Sequence, residues 1–238
     1  MIIYGINPVL EALRARRVIG IRVSPRADAR VAGAVRLADE HGVIVRRVEG
    51  AELDRATGGA AHQGIIAEVD ERGPTSVEEL VAGSKRVPLI VVLDGIEDPQ
   101  NLGAILRTVD AAGGDGVVRQ SRHAAPLGGA TAKVSAGAVA HVRIAEVVNI
   151  ARAIDALKNQ GVWTVGLAAE AAMSYCDIDF TLPAAVVVGA EGAGLRRLVR
   201  ERCDWLASIP MHGHVQSLNV SVAAGVVLYE AIRQRALK

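Results

Sequence analysis

The chain has 238 residues, which is enough for one large domain or two modest ones. Half of the residues are hydrophobic and 22% are charged, a balance that is typical of folded globular proteins and excludes disordered and collagen-like chains. The formal net charge is +1, so no global positive field indicates a nucleic-acid-binding protein, and only local clusters of charge could do so.

The first seventy residues alternate between helical and strand-like patterns. Asn7 and Pro8 predict the start of a helix, because an Asn side chain caps free N–H groups and proline suits the first turn. The patterns that follow predict a strand at 19–23, a helix at 27–41, a strand at 43–48, a short helix at 51–56 and a strand at 64–69. We therefore predict a small α/β domain at 1–70, followed by a linker at 71–87 that contains Gly, Pro and Ser.

The second half begins with an apolar run at 88–94, which is typical of a strand buried on both faces of a parallel sheet. Further strands are predicted at 116–119, 142–144, 162–167, 184–188 and 206–209. Helices are predicted at 149–160, 194–203 and 219–237. This alternation predicts a second α/β domain at 88–238, with a mainly parallel sheet covered by helices.

Three loops that follow predicted strands carry unusual residues, at the sheet edge where α/β proteins collect ligands. In the first, Asp98 predicts the cap of a helix that begins at Pro99. Asn101 lies in the first turn of that helix, and Arg107 lies opposite its apolar stripe. From spacing alone, a second capping residue and a solvent-facing arginine are the favoured interpretations.

The second loop is a glycine-rich turn between a buried strand and a helix. Its glycines, Gly189, Gly192 and Gly194, would let backbone N–H groups face a ligand. Their order, GxxGxG, is not the dinucleotide fingerprint, and the Lys and Ser/Thr of a P-loop are missing, which disfavours a nucleotide-binding protein. Glu191 would repel a phosphate, so it is better suited to a cationic or hydroxyl-bearing ligand. The alternative is that Glu191 is only a carboxylate favoured by the dipole at the start of the helix.

In the third loop, Ser217 and Asn219 surround the start of the last helix, where polar side chains usually act as caps. His212 and His214 lack the spacing of metal ligands, so no metal site is predicted. The two cysteines of the chain form no paired motif and are expected to pack as small apolar residues.

Together these loops resemble the motifs of one family, the SpoU branch of the SPOUT RNA ribose 2′-O-methyltransferases. The similar segments are DPQNLGAILRTVDAAG at 98–113, VVGAEGAGLRR at 187–197 and IPMHGHVQSLNVSVAAGVVLYE at 209–230, in the order of the family. Two N-terminal segments, 4–13 and HQGIIAEV at 62–69, resemble the RNA-binding domain of the members that act on guanosine in ribosomal RNA. The resemblance covers nearly the whole chain.

The resemblance implies a small N-terminal α/β RNA-binding domain and a C-terminal SPOUT α/β domain with a deep trefoil knot. It implies S-adenosylmethionine as the methyl donor, no metal, and a homodimer with the site at the subunit interface. The residues that it assigns to catalysis are Asn101, Arg107 and Glu191. Those that it assigns to the donor are Gly189, Ile209, Ser217, Leu218 and Asn219.

The expected substrate is large-subunit ribosomal RNA. Arginines outnumber acidic residues by nine to three between Arg14 and Arg47, so we expect Arg14, Arg16 and Arg17 to contact RNA phosphates. Transfer RNA as substrate, and a non-catalytic RNA-binding adaptor, remain alternatives. The longest apolar run, 182–190, is too short for a membrane span, and the N-terminus lacks the pattern of a secretory signal, so we expect a cytoplasmic protein.

Overall fold

The computed structural model describes residues 1–25, 29–70 and 75–237. The predicted start of the second helix at residue 27, and positions 71–74 of the predicted linker, lie outside the described residues. The chain divides into two compact units, Met1–Gly73 with Pro126–His141 and Pro74–Ala125 with Val142–Lys238. Among the described helices, none combines the length and the apolar character needed to cross a membrane.

The first unit is built on a mixed four-stranded sheet. Its elements are β1 (Ile2–Tyr4), α1 (Ile6–Arg14), β2 (Val18–Val23), α2 (Ala29–Glu40), β3 (Ile44–Arg47), α3 (Gly50–Thr57), β4 (Ile65–Val69), α6 (Gly129–Val134) and a 3₁₀ helix at Ala138–Ala140. The strand order is β1-β4-β2-β3, with β4 antiparallel to both of its neighbours and β3 parallel to β2. The predicted α/β character of this region is confirmed.

The prediction that Asn7 caps the first helix is wrong. α1 begins at Ile6, and its N-cap is Gly5, whose φ of 92° is a conformation that favours glycine. The N–H of Ile6 donates to Oε1 of Gln63 at 3.0 Å. A side chain from a distant part of the chain therefore satisfies the helix start, which the local sequence could not show.

Residues 126–141 belong to the first unit although they lie far along the chain. The Arg17 guanidinium donates to the carbonyls of Val139 and Ala140, at 3.4 and 3.3 Å. A Cβ atom on Gly129 would lie 1.9 Å from the ring of Tyr4, so only glycine allows this approach. The first unit thus combines two chain segments, one of which comes from within 88–238.

The second unit contains a seven-stranded parallel sheet. Its elements are α4 (Val77–Ala82), β5 (Leu89–Asp94), α5 (Pro99–Ala111), β6 (Gly116–Gln120), β7 (Ile144–Val147), α7 (Ile150–Asn159), β8 (Trp163–Leu167), β9 (Met173–Ser174), a 3₁₀ helix at Tyr175–Asp177, β10 (Ala184–Gly189), α8 (Arg197–Arg202), β11 (Trp205–Ser208) and α9 (Val220–Ala236). The strand order is β7-β6-β5-β10-β8-β11-β9, and each strand runs parallel to its neighbours. The predicted parallel sheet is confirmed.

The sheet order brings distant segments together at one edge. β10 lies between β5 and β8, so the loops that follow these three strands leave the sheet side by side. α9 packs against both α5 and β10. α4, inside the segment predicted as a linker, buries Val77 and Leu80 in the core of this unit. The expected trefoil knot stays a prediction.

Candidate functional site

The first of the three loops leads into α5, which begins as predicted. Asp98 is the N-cap and accepts from the N–H of Gln100 at 3.0 Å, and Pro99 is the first helical residue. Asn101, in the first turn, is buried with 7% of its surface exposed. Arg107, two turns along the helix, is exposed, and its side chain makes no hydrogen bond or ion pair with any described residue.

The second loop folds back tightly on its own start. A Cβ atom on Gly189 would lie 2.2 Å from the carbonyl group of Gly194, so glycine is required there by the close approach of backbone. The N–H of Gly194 donates to the carbonyl of Ala190 at 2.8 Å. The N–H of Gly194 is therefore used within the turn, and the expectation that backbone N–H groups of this loop face a ligand stays a prediction for the rest of the loop.

The helix predicted from residue 194 begins later, because Arg196 is bound to a buried carboxylate. Asp94, the last residue of β5, is 1% exposed and accepts from the Arg196 N–H at 2.8 Å and from its Nε at 2.6 Å. These bonds hold Arg196 extended, so α8 begins at Arg197. Sequence reasoning missed this pair, and its one signal was an acid at the end of an apolar strand.

Asn219 joins the three loops. Its Nδ2 donates to Oδ1 of Asn101 at 2.8 Å and to Oε1 of Glu191. Its Oδ1 caps α9 by accepting from the N–H of Ser221 at 2.9 Å. An amide nitrogen carries two hydrogens, so both donations are made at once. Asn219, which is predicted to bind the methyl donor, therefore contacts two of the predicted catalytic residues.

A cavity of about 290 Å³ opens beside this network. Its walls come from the loops after β8, β10 and β11 and from the start of α9. Of the five residues predicted to bind the methyl donor, four line this cavity: Gly189, Ile209, Ser217 and Leu218. A second cavity is lined by 95–98 and Asn101. Ala190, Glu191 and Val220 line both cavities, so Glu191 stands where the two spaces adjoin.

Arg107, the third predicted catalytic residue, is not among the described residues that line the two cavities. Asn101 and Glu191 are fixed by hydrogen bonds, whereas Arg107 is exposed on α5. Within one chain, the structure therefore joins two of the three predicted catalytic residues and leaves the third on an open helix face.

The three predicted RNA-binding arginines differ in their surroundings. Arg14 is exposed and paired with Glu11, and Arg16 is exposed. Arg17 is half-buried, and its guanidinium also donates to the carbonyl of Asp70 at 2.8 Å. Its hydrogen bonds serve the packing of the first unit, which leaves Arg14 and Arg16 as the accessible pair.

The cysteines and histidines contribute no recognisable chemistry to the site. Across the described ranges, no three His, Cys, Asp or Glu side chains are grouped so that they could hold a metal ion. Cys203 packs against the core, and burial raises the pKa of its thiol to about 12. Cys176 is exposed, so the expectation that both cysteines are packed is wrong for this one.

Comparison with known proteins identifies both parts of the chain. The profile of the SpoU rRNA Methylase family matches residues 88–229, and that of RNA 2′-O ribose methyltransferase substrate binding matches residues 2–75. The 23S rRNA (guanosine-2′-O-)-methyltransferase RlmB of Pseudomonas syringae pv. tomato is 44% identical over 242 residues, which cover 99% of this chain and 96% of that protein.

Solved structures agree with this match. The AdoMet-bound rRNA methyltransferase from Sinorhizobium meliloti is 27% identical with a TM-score of 0.80, over 98% of this chain and 86% of that one. The SpoU methyltransferase AviRb from Streptomyces viridochromogenes, in complex with AdoMet, is 24% identical and shares the fold with a TM-score of 0.85, over 100% of this chain and 91% of that one. The chain belongs to the SpoU rRNA methylase family.

Proposed function

We propose that this protein transfers a methyl group from S-adenosylmethionine to the 2′-hydroxyl of a guanosine ribose in large-subunit ribosomal RNA. The observation that carries the proposal is the Asn219 network, which fixes Asn101 and Glu191 beside two adjoining cavities. The 44% identity to an enzyme named for this reaction, over 99% of the chain, supports the choice of substrate.

The first cavity suits S-adenosylmethionine. Leu167, Leu195 and Ile209 give it apolar walls for the adenine base, and Gly189 keeps the adjacent turn free of a side chain. Its volume is close to the lower end, about 300 Å³, of small-molecule sites. When bound, S-adenosylmethionine supplies a methyl group on a positively charged sulfur. A nearby carboxylate such as Glu191 attracts this positive charge.

Asn101 and Glu191 orient the substrate ribose from the second cavity. Because Asn219 occupies the amide oxygen of Asn101, the N–H groups of Asn101 remain to donate to a ribose or phosphate oxygen. Holding the attacking oxygen in line with the methyl group is the main contribution that such positioning makes to the rate.

Arg107 acts from a second copy of the chain, in a homodimer with the site at its interface. Val222 and Tyr229, two helical turns apart on α9, are 51% and 53% exposed and provide an apolar surface for that contact. Arginine keeps its proton in proteins, so Arg107 acts as a cation. It binds the RNA phosphate next to the target ribose and stabilises the negative charge that develops on the ribose 2′-oxygen. The hydroxyl proton leaves to water or to a neighbouring group.

The first unit binds the RNA. Arg14 and Arg16 are exposed cations of this unit, and the substrate-binding profile at 2–75 supports this role. We assign residues 1–70 to RNA binding and 88–238 to a knotted methyltransferase domain, to whose core α4 of the predicted linker 71–87 contributes Val77 and Leu80. A ribosomal-RNA substrate supports a cytoplasmic location.

Transfer of labelled methyl from S-adenosylmethionine tests the proposal. The acceptors are ribosomal RNA and tRNA from a strain that lacks the protein, and Arg107→Ala is assayed beside the wild type. We expect label in 23S rRNA with the wild type and a loss of at least about a hundredfold with the variant. Nuclease digestion and mass spectrometry then identify a 2′-O-methylguanosine.

Label in tRNA would contradict the substrate and keep the chemistry. Donor binding without transfer to free or ribosomal-particle RNA would favour the non-catalytic adaptor. An Arg107→Lys variant with wild-type turnover would contradict the planar clamp, because lysine cannot reproduce a bidentate contact with phosphate.

A further inference from the structure

One ion pair in the first cavity has no part in the functions assigned above. Glu170 and Arg200 both line this cavity and bind each other. Glu170 follows β8 by three residues, and Arg200 lies in α8. Their side chains are 60% and 40% exposed, so a ligand in the cavity can reach both.

The position of Glu170 in the sheet indicates what it contacts. β8 is the parallel neighbour of β10, and the glycine-rich turn begins at the end of β10. In parallel sheets that bind nucleotides, an acid beyond the end of the strand next to the glycine-rich turn accepts hydrogen bonds from ribose hydroxyls. Glu170 has the same relation to Gly189, although the glycine spacing differs from that of the nucleotide-binding proteins.

The neighbours of Glu170 agree with a ribose. Leu167 and Ala168, which precede it in the same wall, offer an apolar surface to a base. The other carboxylate in the described lining, Glu191, is already bound to Asn219. An ionised carboxylate only accepts hydrogen bonds, and a ribose diol offers two donors side by side.

Arg200 orients the Glu170 carboxylate. Hydrogen bonds from the backbone N–H of Glu170 itself and from the Arg200 side chain lower the pKa of the Glu170 carboxyl. The pair joins the loop after β8 to α8 across the cavity, so the carboxylate has a fixed place before a ligand enters.

We propose that Glu170 accepts hydrogen bonds from the 2′- and 3′-hydroxyls of the methyl donor's ribose, and that Arg200 positions the Glu170 carboxylate for this contact. The inference rests on the proposed function, since it needs S-adenosylmethionine in the first cavity. It makes Glu170 the residue that selects a ribonucleoside donor over a deoxy analogue.

Calorimetric binding of three ligands to the full chain tests the proposal. S-adenosylhomocysteine has both the ribose diol and the amino-acid end, its 2′,3′-dideoxy analogue lacks the diol, and methylthioadenosine lacks the amino-acid end. We expect Glu170→Ala to weaken S-adenosylhomocysteine and methylthioadenosine by the same factor, about tenfold, and to leave the dideoxy analogue unchanged. Glu201→Ala, which removes an exposed carboxylate of α8, is the matched control and should change none of the three affinities.

The role of Arg200 is separable from that of Glu170. Arg200→Ala should weaken the two diol ligands by less than Glu170→Ala does. Arg200→Lys should restore most of the affinity, because it keeps a cation beside the carboxylate. Equal thermal unfolding midpoints of the variants would show that the binding losses do not come from unfolding.

Two results would overturn the inference and leave the proposed function intact. One is unchanged affinity of Glu170→Ala for all ligands, which would make the pair a surface ion contact. The other is a loss for S-adenosylhomocysteine alone, which would assign the carboxylate to the amino-acid end. If the wild type bound neither S-adenosylhomocysteine nor methylthioadenosine, the proposed donor and this inference would fail together.

Discussion

Asn219 shows how one side chain can serve both the fold and the site. Its Oδ1 caps α9, and its Nδ2 holds Asn101 and Glu191. Cap residues contribute about 1 kcal/mol to helix stability, so removal of the whole side chain would confuse the two roles. A substitution that keeps the acceptor and removes the donor separates them.

Asn219→Asp is that substitution. The carboxylate still caps α9, but it cannot donate to Asn101, and it adds a negative charge beside Glu191. We expect a thermal unfolding midpoint close to that of the wild type and a fall in methyl transfer of about a hundredfold, the effect of a small displacement of catalytic groups. Wild-type turnover in this variant would show that the network is only structural.

Glu230 and Arg233, one turn apart on α9, make a pH-dependent contribution to stability. Hydrogen bonds from Arg233, at 2.7 Å from Nε and from Nη2, and then from Gln234 lower the pKa of the Glu230 carboxyl to about 2, from an ordinary value of 4.5. A carboxyl whose pKa is lower in the folded state stabilises the fold above the unfolded pKa. That stabilisation is lost as the pH falls through the folded pKa.

We therefore expect Arg233→Gln to lower the free energy of unfolding at pH 7. The difference from wild type should stay constant down to about pH 5 and shrink between pH 4.5 and pH 2. Urea unfolding of both proteins at several pH values measures it. A difference that does not change with pH would mean that the substitution acts through packing rather than through the carboxyl.

At the scale of secondary-structure elements, the glycine-rich turn is fixed at both of its ends to one residue. Gly189 is the β10 partner of Asp94 in the sheet register, and Arg196 binds the Asp94 carboxylate. The turn between them carries Glu191.

The last helix, α9, is also held at both ends. Asn219 caps its start, and near its end the Arg235 side chain donates to the carbonyls of Phe180, Val87, Pro88 and Leu182.

Arg196→Ala should destabilise the protein because it leaves the Asp94 carboxylate buried without its cationic partner, with only the backbone N–H of residue 196 still donating to it. We expect a loss of about 2–4 kcal/mol in the free energy of unfolding, less than for a fully buried pair because the Arg196 side chain is 55% exposed. Donor affinity and turnover should both fall as the turn loosens.

Arg197→Ala is the matched control, since Arg197 is 79% exposed and paired only with Glu201 in the described chain. It should change stability by less than about 0.5 kcal/mol. Urea unfolding and methyl transfer of both variants decide the matter. Equal behaviour of the two alanine variants would contradict the role of Asp94 as an anchor.

At the scale of the whole molecule, the proposed homodimer accounts for the position of Arg107 apart from Asn101 and Glu191, because a second copy would complete the active site. A symmetric dimer would contain two such sites. In a mixed dimer of Arg107→Ala and Glu191→Ala chains, one site combines the intact Arg107 of one chain with the intact Glu191 of the other.

Two inactive variants should therefore restore activity when they are mixed. After unfolding and refolding together, random pairing gives about a quarter of wild-type activity, because half of the dimers are mixed and each has one complete site. Each variant refolded alone is the control. No recovery in a mixture whose mixed dimers are detected by mass spectrometry would place Arg107 and Glu191 in the same chain's site.

Features that depend on near neighbours in the chain are readable from the amino-acid sequence alone. Apolar runs predict six of the seven strands of the parallel sheet, all except the two-residue β9, and Asp98 with Pro99 predicts the start of α5, because these signals act over a few residues. The resemblance to the SpoU family, carried by three motifs, also indicates Asn101 and Glu191 as candidate catalytic residues, and the profile over residues 88–229 confirms the family itself.

Contacts between distant segments become visible only in the folded chain. Asn219 binds Asn101 across 118 positions, and Gln63 caps α1 across 57. Asp94 and Arg196, 102 positions apart, set where α8 begins. These bonds form because the strand order of the sheet places the loops side by side, and strand order is not encoded in any local pattern.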